Sequence, residues 1–204
     1  MSGDADVLVD GPADAPATLL LAHGAGSGKA HPFLAAVAAA LAGPARRVVR
    51  FDFPYRAAGR KLPDALPVLQ DALRASVAAH GRGVIALAGK SLGGRVASTL
   101  ADELGARALV CLGYPFHPPK HPTKLRTAHL AGIATPTLVL QGERDPFGTP
   151  DEVAGYQLSP TITVQWLADG DHDLAPRKSS GRTAAQNLAE AASAAAAFLA
   201  THGA

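Results

Sequence analysis

The chain alternates short apolar runs, typical of buried β-strands, with longer segments in which apolar residues recur at helical spacing. The apolar runs predict seven strands, at Val7–Val9, Thr18–Leu21, Arg47–Phe51, Val84–Ala88, Ala108–Leu112, Thr137–Leu140 and Thr161–Trp166. Strands that alternate with helices indicate a mostly parallel sheet covered by helices on both faces. The functional loops of such a sheet lie at the carboxyl ends of its strands.

Four segments have the apolar spacing of helices. They contain Leu34, Val37 and Leu41; Leu66 to Val77, ending at Gly81; Leu92, Val96, Leu100 and Leu104, ending at Gly105; and an alanine-rich stretch from about Thr183 to Ala200. The sequence therefore predicts an α/β fold with no internal repeat and no interdomain linker.

Composition narrows the class of protein. The 204 residues are 48% hydrophobic and 18% charged, with a net charge of +2 and one cysteine. These values indicate one globular domain over residues 1–204 and give no sign of a nucleic-acid-binding surface or a disulfide framework. The first residues lack the pattern of a secretion signal, and no apolar run reaches the roughly 18 residues of a membrane span. We expect a cytoplasmic protein that binds neither membrane nor nucleic acid. The sequence indicates no particular oligomeric state.

A glycine-rich loop, LAHGAGSGKA at residues 21–30, follows the second predicted strand. A phosphate-binding P-loop would need glycine at His23 and a hydroxyl residue at Ala30, and the dinucleotide pattern fails at Lys29. Nucleotide binding is poorly supported, and we expect no cofactor. The loop therefore needs another explanation.

The segment Gly89-Lys90-Ser91-Leu92-Gly93 has the form G-x-S-x-G, between a buried apolar run and an amphipathic one. A serine between glycines is usually only a turn. The strand before it and the helix after it are the context of a nucleophile elbow, which projects the serine hydroxyl above the sheet.

A serine nucleophile needs a base and an orienting acid. Asp145 and His172 each follow a predicted strand, in the order serine, acid, histidine that this architecture requires. Glu143 is an alternative acid, although it lies nearer its strand. The carboxylates around His172 could indicate a metal site, but no second histidine or cysteine stands at ligand spacing, so a solvated loop is favoured and no metal is expected.

The glycine loop can supply an oxyanion hole. In this architecture one N–H comes from the residue after the nucleophile, here Leu92, and the second comes from a loop after an early strand. The Ala25 amide is the first choice for that second donor and Gly24 the next. His23 is expected to stabilise the loop rather than to transfer protons.

Together these residues resemble the α/β-hydrolase superfamily, in particular its small dienelactone-hydrolase-like members and the predicted hydrolases grouped with testis-expressed protein 30. The matching stretches are HGAG (23–26), FDFPY (51–55), GKSLGGRVAS (89–98), GYPFHPPKHPTKLR (113–126), QGERDPFG (141–148) and DGDHDL (169–174). The resemblance implies a compact fold without a large lid. Dienelactone hydrolases proper have cysteine at the elbow, so their substrate is not carried over to a chain that has Ser91.

The sequence thus predicts a serine hydrolase that cleaves a small carboxylic ester or thioester through an acyl-enzyme. The alternative is a non-catalytic ligand- or protein-binding module on the same fold. Besides the catalytic set, the candidate substrate-binding residues are His23, Tyr55, Tyr114, Phe116 and His117.

Basic residues outnumber acidic ones in the loops above the predicted sheet. They favour an anionic acyl or leaving group, or else are solvated surface charges with no role in binding. The residues are Lys29, Arg56, Arg60, Lys61, Lys120, Lys124, Arg144, Arg177 and Lys178.

Overall fold

The computed structural model describes residues 7–204 and contains all seven predicted strands, with ends that differ from the predicted ones by at most two residues. The strands are β1 (Val7–Asp10), β2 (Ala17–Ala22), β3 (Arg46–Phe51), β4 (Val84–Lys90), β5 (Leu109–Leu112), β6 (Thr137–Gly142) and β7 (Ile162–Leu167). They form one sheet in the order β1-β3-β2-β4-β5-β6-β7. Only β1 is antiparallel to its neighbour.

Within the described residues, six α-helices connect or follow the strands. They are α1 (Pro32–Leu41), α2 (Pro54–Ala57), α3 (Leu66–His80), α4 (Leu92–Ser98), α5 (Pro150–Val153) and α6 (Ala184–Thr201). Short 3-10 turns lie at Ala128–Ala131 and Lys178–Ser180. No helix in residues 7–204 has the length and apolar character needed to cross a bilayer.

The sheet separates two hydrophobic cores because successive side chains of a strand point to opposite faces. In β2, Leu19 and Leu21 pack with α1 and α6, whereas Leu20 and Ala22 pack with α3 and α4. All four side chains are fully buried. The central strands are therefore covered on both faces, so the sheet is accessible only through the loops at the two ends of its strands.

The helix after the elbow is shorter than predicted. It ends at Ser98, and the next amides bond three residues back, from Thr99 to Val96 and from Leu100 to Ala97. The hydroxyls of Ser98 and Thr99 also bond the carbonyls three residues before them, at 2.8 and 2.7 Å. Such local bonds compete with the helical ladder, so the apolar spacing continues into turns rather than helix.

Leu87 offers a test of this core. It is fully buried in the central strand β4, so Leu87→Ala should lower the free energy of unfolding by about 2–5 kcal/mol, because it leaves a cavity. Leu62, which is 81% exposed, is the matched control, and Leu62→Ala should change stability by less than about 0.5 kcal/mol. Equal effects in denaturant titrations would contradict this assignment of the core.

Candidate active site

Ser91 lies in a sharp turn between β4 and α4. Its backbone has φ 50° and ψ −113°, a conformation that L-residues rarely adopt. The flanking glycines allow the turn because a Cβ at Gly89 would lie 2.2 Å from the Gly93 carbonyl carbon, and one at Gly93 would lie 2.4 Å from the Ala22 oxygen. The turn therefore raises the Ser91 side chain at the carboxyl edge of the sheet.

The structure brings Ser91, His172 and Asp145 together from three separate loops. The Ser91 Oγ is 2.8 Å from His172 Nε2, and His172 Nδ1 is 2.8 Å from Asp145 Oδ2. Since a carboxylate only accepts hydrogen bonds, Nδ1 carries the proton and Nε2 accepts from the serine hydroxyl. This tautomer leaves the imidazole able to take the serine proton.

Asp145 is fully buried, and its carboxylate is held by donors from its own loop and strand. Its Oδ1 accepts the Phe147 N–H at 2.9 Å, and its Oδ2 accepts the Gln141 side-chain amide at 2.9 Å. The Gln141 amide is itself fixed, because its oxygen accepts the Tyr114 N–H at 2.7 Å. The sequence analysis did not identify Gln141, which lies in the QGERDPFG stretch at the end of β6. The only sign of its role in the sequence is that it is a polar residue at the end of an apolar strand.

Lys90 is a second residue that the sequence analysis missed. Its side chain is 8% exposed, and its ammonium donates to the His172 carbonyl oxygen at 2.7 Å and pairs with Asp173 at 3.2 Å. Burial lowers the pKa of Lys90, and the charge of Asp173 opposes that shift. The residue next to Ser91 thus tethers the loop that carries His172. The Phe147 ring packs against the imidazole at a centroid distance of 4.2 Å.

The alternative acid and the suspected metal ligands have other partners. Glu143 accepts the Asp169 N–H at 2.8 Å, whereas His172 Nδ1 bonds Asp145. Asp169 pairs with Arg177 and Arg144, and these contacts lower the pKa of Asp169. Within the part of the chain that the structure describes, no group of three or more His, Cys, Asp or Glu side chains could hold a metal ion.

The glycine loop packs over the start of α4, and buried side chains beneath the loop donate hydrogen bonds to its carbonyl oxygens. The Gly24 oxygen accepts from His23 Nδ1 at 2.8 Å, and the Ala25 oxygen accepts from the Tyr55 hydroxyl at 2.9 Å. Burial lowers the pKa of His23, whose Nε2 accepts the Phe53 N–H at 3.0 Å, so the ring is neutral. Burial also raises the pKa of Tyr55 to about 12, which keeps its phenol a donor.

The lysine of the loop has an internal partner. The Lys29 N–H donates to Asp52 Oδ1 at 2.7 Å, and its ammonium lies 3.5 Å from Asp52 Oδ2. The loop lysine is therefore held by a carboxylate of the following strand-end segment, residues 51–55.

The five candidate substrate-binding residues are not among the residues that line the cavities beside Ser91, and their role in substrate binding stays a prediction. All are at most 1% exposed and pack in the interior: His23, Tyr55, Tyr114, Phe116 and His117. The rings of Tyr114 and Phe116 pack together in the core against α4, 4.8 Å apart. His23 and Tyr55 act from beneath the glycine loop, as described above. Local sequence does not distinguish a loop aromatic that faces a cleft from one that folds under it.

Two cavities flank the Ser91 hydroxyl. The histidine-side cavity, of about 400 Å³, is lined by His172, Lys90 and Phe33 among others. The arginine-side cavity, of about 340 Å³, is lined by Leu92, Arg95 and Arg126 among others. Ala25, Ser91 and Phe147 border both cavities.

A larger depression, of about 710 Å³, lies at the opposite edge of the sheet, beside Arg107 and Thr135. It is remote from Ser91, at the amino ends of β5 and β6. We therefore place the candidate active site at the two smaller cavities.

The sheet order, the turn at Ser91 and the carboxyl-edge loops define an α/β-hydrolase fold. Residues 15–200 match the family model described as an alpha/beta hydrolase domain, and the chain belongs to this family. Within residues 7–204 the fold is compact and without a large lid, as the sequence predicts. The narrower grouping with testis-expressed protein 30 stays a prediction.

Several solved structures share the fold. A lidless α/β serine hydrolase from Xanthomonas campestris is 23% identical, with 96% of this chain and 88% of that chain covered and a TM-score of 0.74. Dienelactone hydrolase from Anabaena variabilis is 21% identical, with 98% and 93% covered and a TM-score of 0.73. Est1E from Butyrivibrio proteoclasticus, solved with ferulic acid, is 16% identical, with 97% and 94% covered and a TM-score of 0.75.

The strain at Ser91 can be measured. At ordinary positions Ala→Gly destabilises a protein by about 0.5–1 kcal/mol, but at φ 50° a residue with a Cβ carries strain of about 1–3 kcal/mol. Ser91→Gly should therefore be at least as stable as Ser91→Ala in denaturant unfolding. A Ser91→Gly variant less stable than Ser91→Ala by the ordinary margin would show that the turn is unstrained.

Proposed function

We propose that this protein is a serine hydrolase that cleaves a small carboxylic ester or thioester through an acyl-enzyme. The observation that carries the proposal is the continuous hydrogen-bonded chain from Ser91 Oγ through His172 to the buried Asp145, with both distances 2.8 Å. Hydroxyl, imidazole and carboxylate in this order are the parts needed to make a serine nucleophilic at neutral pH.

In the proposed acylation step, His172 Nε2 takes the hydroxyl proton while Ser91 Oγ attacks the carbonyl carbon of the substrate. The tetrahedral intermediate then collapses, and His172 returns the proton to the leaving oxygen or sulfur. Water enters, loses a proton to His172 and attacks the acyl carbon, which releases the acid and restores Ser91. Asp145 holds the Nδ1–H tautomer and stabilises the imidazolium throughout.

The oxyanion of the intermediate is proposed to bind the amides of Leu92 and Ala25, with that of Gly24 as the second choice in the loop. Within residues 7–204, no backbone carbonyl accepts from the Leu92 or Ala25 N–H, and both residues line the cavity that contains Ser91. The C=O and N–H of a trans peptide point in opposite directions. Hydrogen bonds to the Gly24 oxygen therefore fix the direction of the Ala25 N–H. Preorganised donors of this kind contribute about 10²–10³ in rate each.

The substrate is proposed to be small. The two cavities beside Ser91, of about 340 and 400 Å³, are at the lower end of the usual range for ligand sites, roughly 300–1,000 Å³. The Est1E structure with ferulic acid shows that a related fold accommodates a compact aromatic acid.

A fluorophosphonate probe tests the nucleophile directly. We expect it to label the wild-type protein at Ser91, because it traps a serine activated by a neighbouring base, and Ser91→Ala should not be labelled. Ser27, which borders the histidine-side cavity, provides the matched control, and Ser27→Ala should still be labelled. A folded wild-type protein that resists the probe would favour the non-catalytic binding module.

The identity of the acid is tested by two isosteric changes. Asp145→Asn should lower kcat by about 10⁴-fold, because the amide no longer holds the required histidine tautomer. Glu143→Gln, two residues away, should keep kcat within about threefold, since Glu143 bonds the Asp169 amide. Kinetics with a p-nitrophenyl ester would measure both, and the opposite ranking would make Glu143 the acid.

A further inference from the structure

Two arginines converge on the arginine-side cavity. Arg95 lies on α4, one turn after Ser91, and Arg126 lies at the end of the 113–126 segment. Both side chains are half-buried. Neither was among the basic residues that the sequence analysis placed near the site.

Neither guanidinium group has an anionic partner within residues 7–204. No carboxylate there pairs with Arg95 or Arg126, and no side-chain hydrogen bond fixes either group. The acid on the cavity wall, Asp64, is held by Arg60 through bonds of 2.6 and 3.1 Å. Burial and the charge of Arg95 lower the pKa of Arg126, as expected for like charges without a counter-ion.

Four of the basic residues predicted near the site have a carboxylate partner. Lys29 pairs with Asp52, Arg60 pairs with Asp64, and Arg144 and Arg177 share Asp169. None of these four lines either cavity beside Ser91. Of the lysine and arginine side chains that do, Lys90 is paired with Asp173, whereas no carboxylate of residues 7–204 pairs with Arg95 or Arg126.

We propose that Arg95 and Arg126 bind a carboxylate at the far end of the substrate's acyl group, so that the enzyme hydrolyses monoesters or monothioesters of small dicarboxylic acids. This inference rests on the proposed function and adds the substrate class. A guanidinium presents a planar fork of donors that matches the two oxygens of a carboxylate. Two such groups facing one cavity are stabilised when an anion enters between them.

The carboxylate is placed on the acyl group because the leaving group must lie on the other side of Ser91. His172, which donates a proton to the leaving atom, lines the histidine-side cavity and not the arginine-side one. The ammonium group in the histidine-side cavity, that of Lys90, is already paired with Asp173. Leu66, Leu69 and Pro115 give the arginine-side cavity apolar walls for a short methylene chain.

The reaction balances without a further reactant. The bond between the acyl carbon and the leaving oxygen or sulfur breaks, and a bond to Ser91 Oγ forms. Water then replaces Ser91 at the acyl carbon. The products are a dicarboxylate, the alcohol or thiol, and one proton.

The test compares two p-nitrophenyl esters of adipic acid, one with a free terminal carboxylate and one with a terminal carboxamide of the same shape. The measured quantity is the ratio of kcat/KM for the carboxylate ester to that for the carboxamide ester. Because both substrates are measured on the same preparation, loss of folded protein cancels in this ratio. For the wild type it should be about tenfold or more, since hydrogen bonds between charged groups are stronger than those to a neutral amide.

Arg95→Gln and Arg126→Gln should each lower this ratio about tenfold, and Arg126→Lys should retain part of it because the charge remains. Arg107→Gln makes the same charge change at the exposed, opposite edge of the sheet and should leave the ratio at its wild-type value. A wild-type ratio near one, or a ratio that Arg126→Gln changes no more than Arg107→Gln does, would overturn the inference. Ser91-dependent hydrolysis of both esters with no such preference leaves the proposed function standing, whereas absence of Ser91-dependent hydrolysis contradicts both.

Discussion

The backbone turn at Ser91 is the constraint on which the rest of the site depends. The chain passes from β4 into α4 through this single residue, whose φ is 50°. Gly89 and Gly93 allow the close backbone packing around it, because a Cβ at either position would lie closer than 2.5 Å to another backbone atom. The same close approach brings the end of β2 against α4. The glycine loop is thereby placed beside Ser91, and Ala25 borders both cavities with Ser91.

Buried polar side chains then fix each loop that meets Ser91. Gln141 holds the Asp145 carboxylate, Lys90 holds the His172 loop, and His23 holds the glycine loop. A buried polar group without a partner costs stability, so a fully bonded network of this kind admits few alternative arrangements. The accessible residues around the Ser91 hydroxyl can therefore be replaced to suit a different substrate without changing the alignment of Ser91, His172 and Asp145.

The fold and the Ser91 region were predictable because their signals are local. Strand and helix periods, and glycines two residues on either side of a serine, are visible in the sequence itself. The walls of the site were not predictable. Tyr114 and Phe116 fold into the core, whereas Arg95 and Arg126 reach the cavity from a helix and a distant loop. Which loop residue faces inward depends on tertiary packing, and an arginine without a partner is recognised only when every neighbouring carboxylate has been located. The length of α4 is another example. Apolar spacing predicts a longer helix, but the helix ends at Ser98, where the hydroxyls of Ser98 and Thr99 bond nearby backbone carbonyls.

The central claim is that an acyl carbon on Ser91 meets His172 on one side and two converging amides on another. A crystal structure of the protein with a phosphonate bonded to Ser91 Oγ tests this claim most directly, because the phosphonyl oxygen imitates the oxyanion. The account predicts that this oxygen lies about 2.7–3.1 Å from the amide nitrogens of Leu92 and Ala25, with His172 still bonded to Asp145. A phosphonyl oxygen that points into solvent or toward His172, with neither amide in contact, would contradict it.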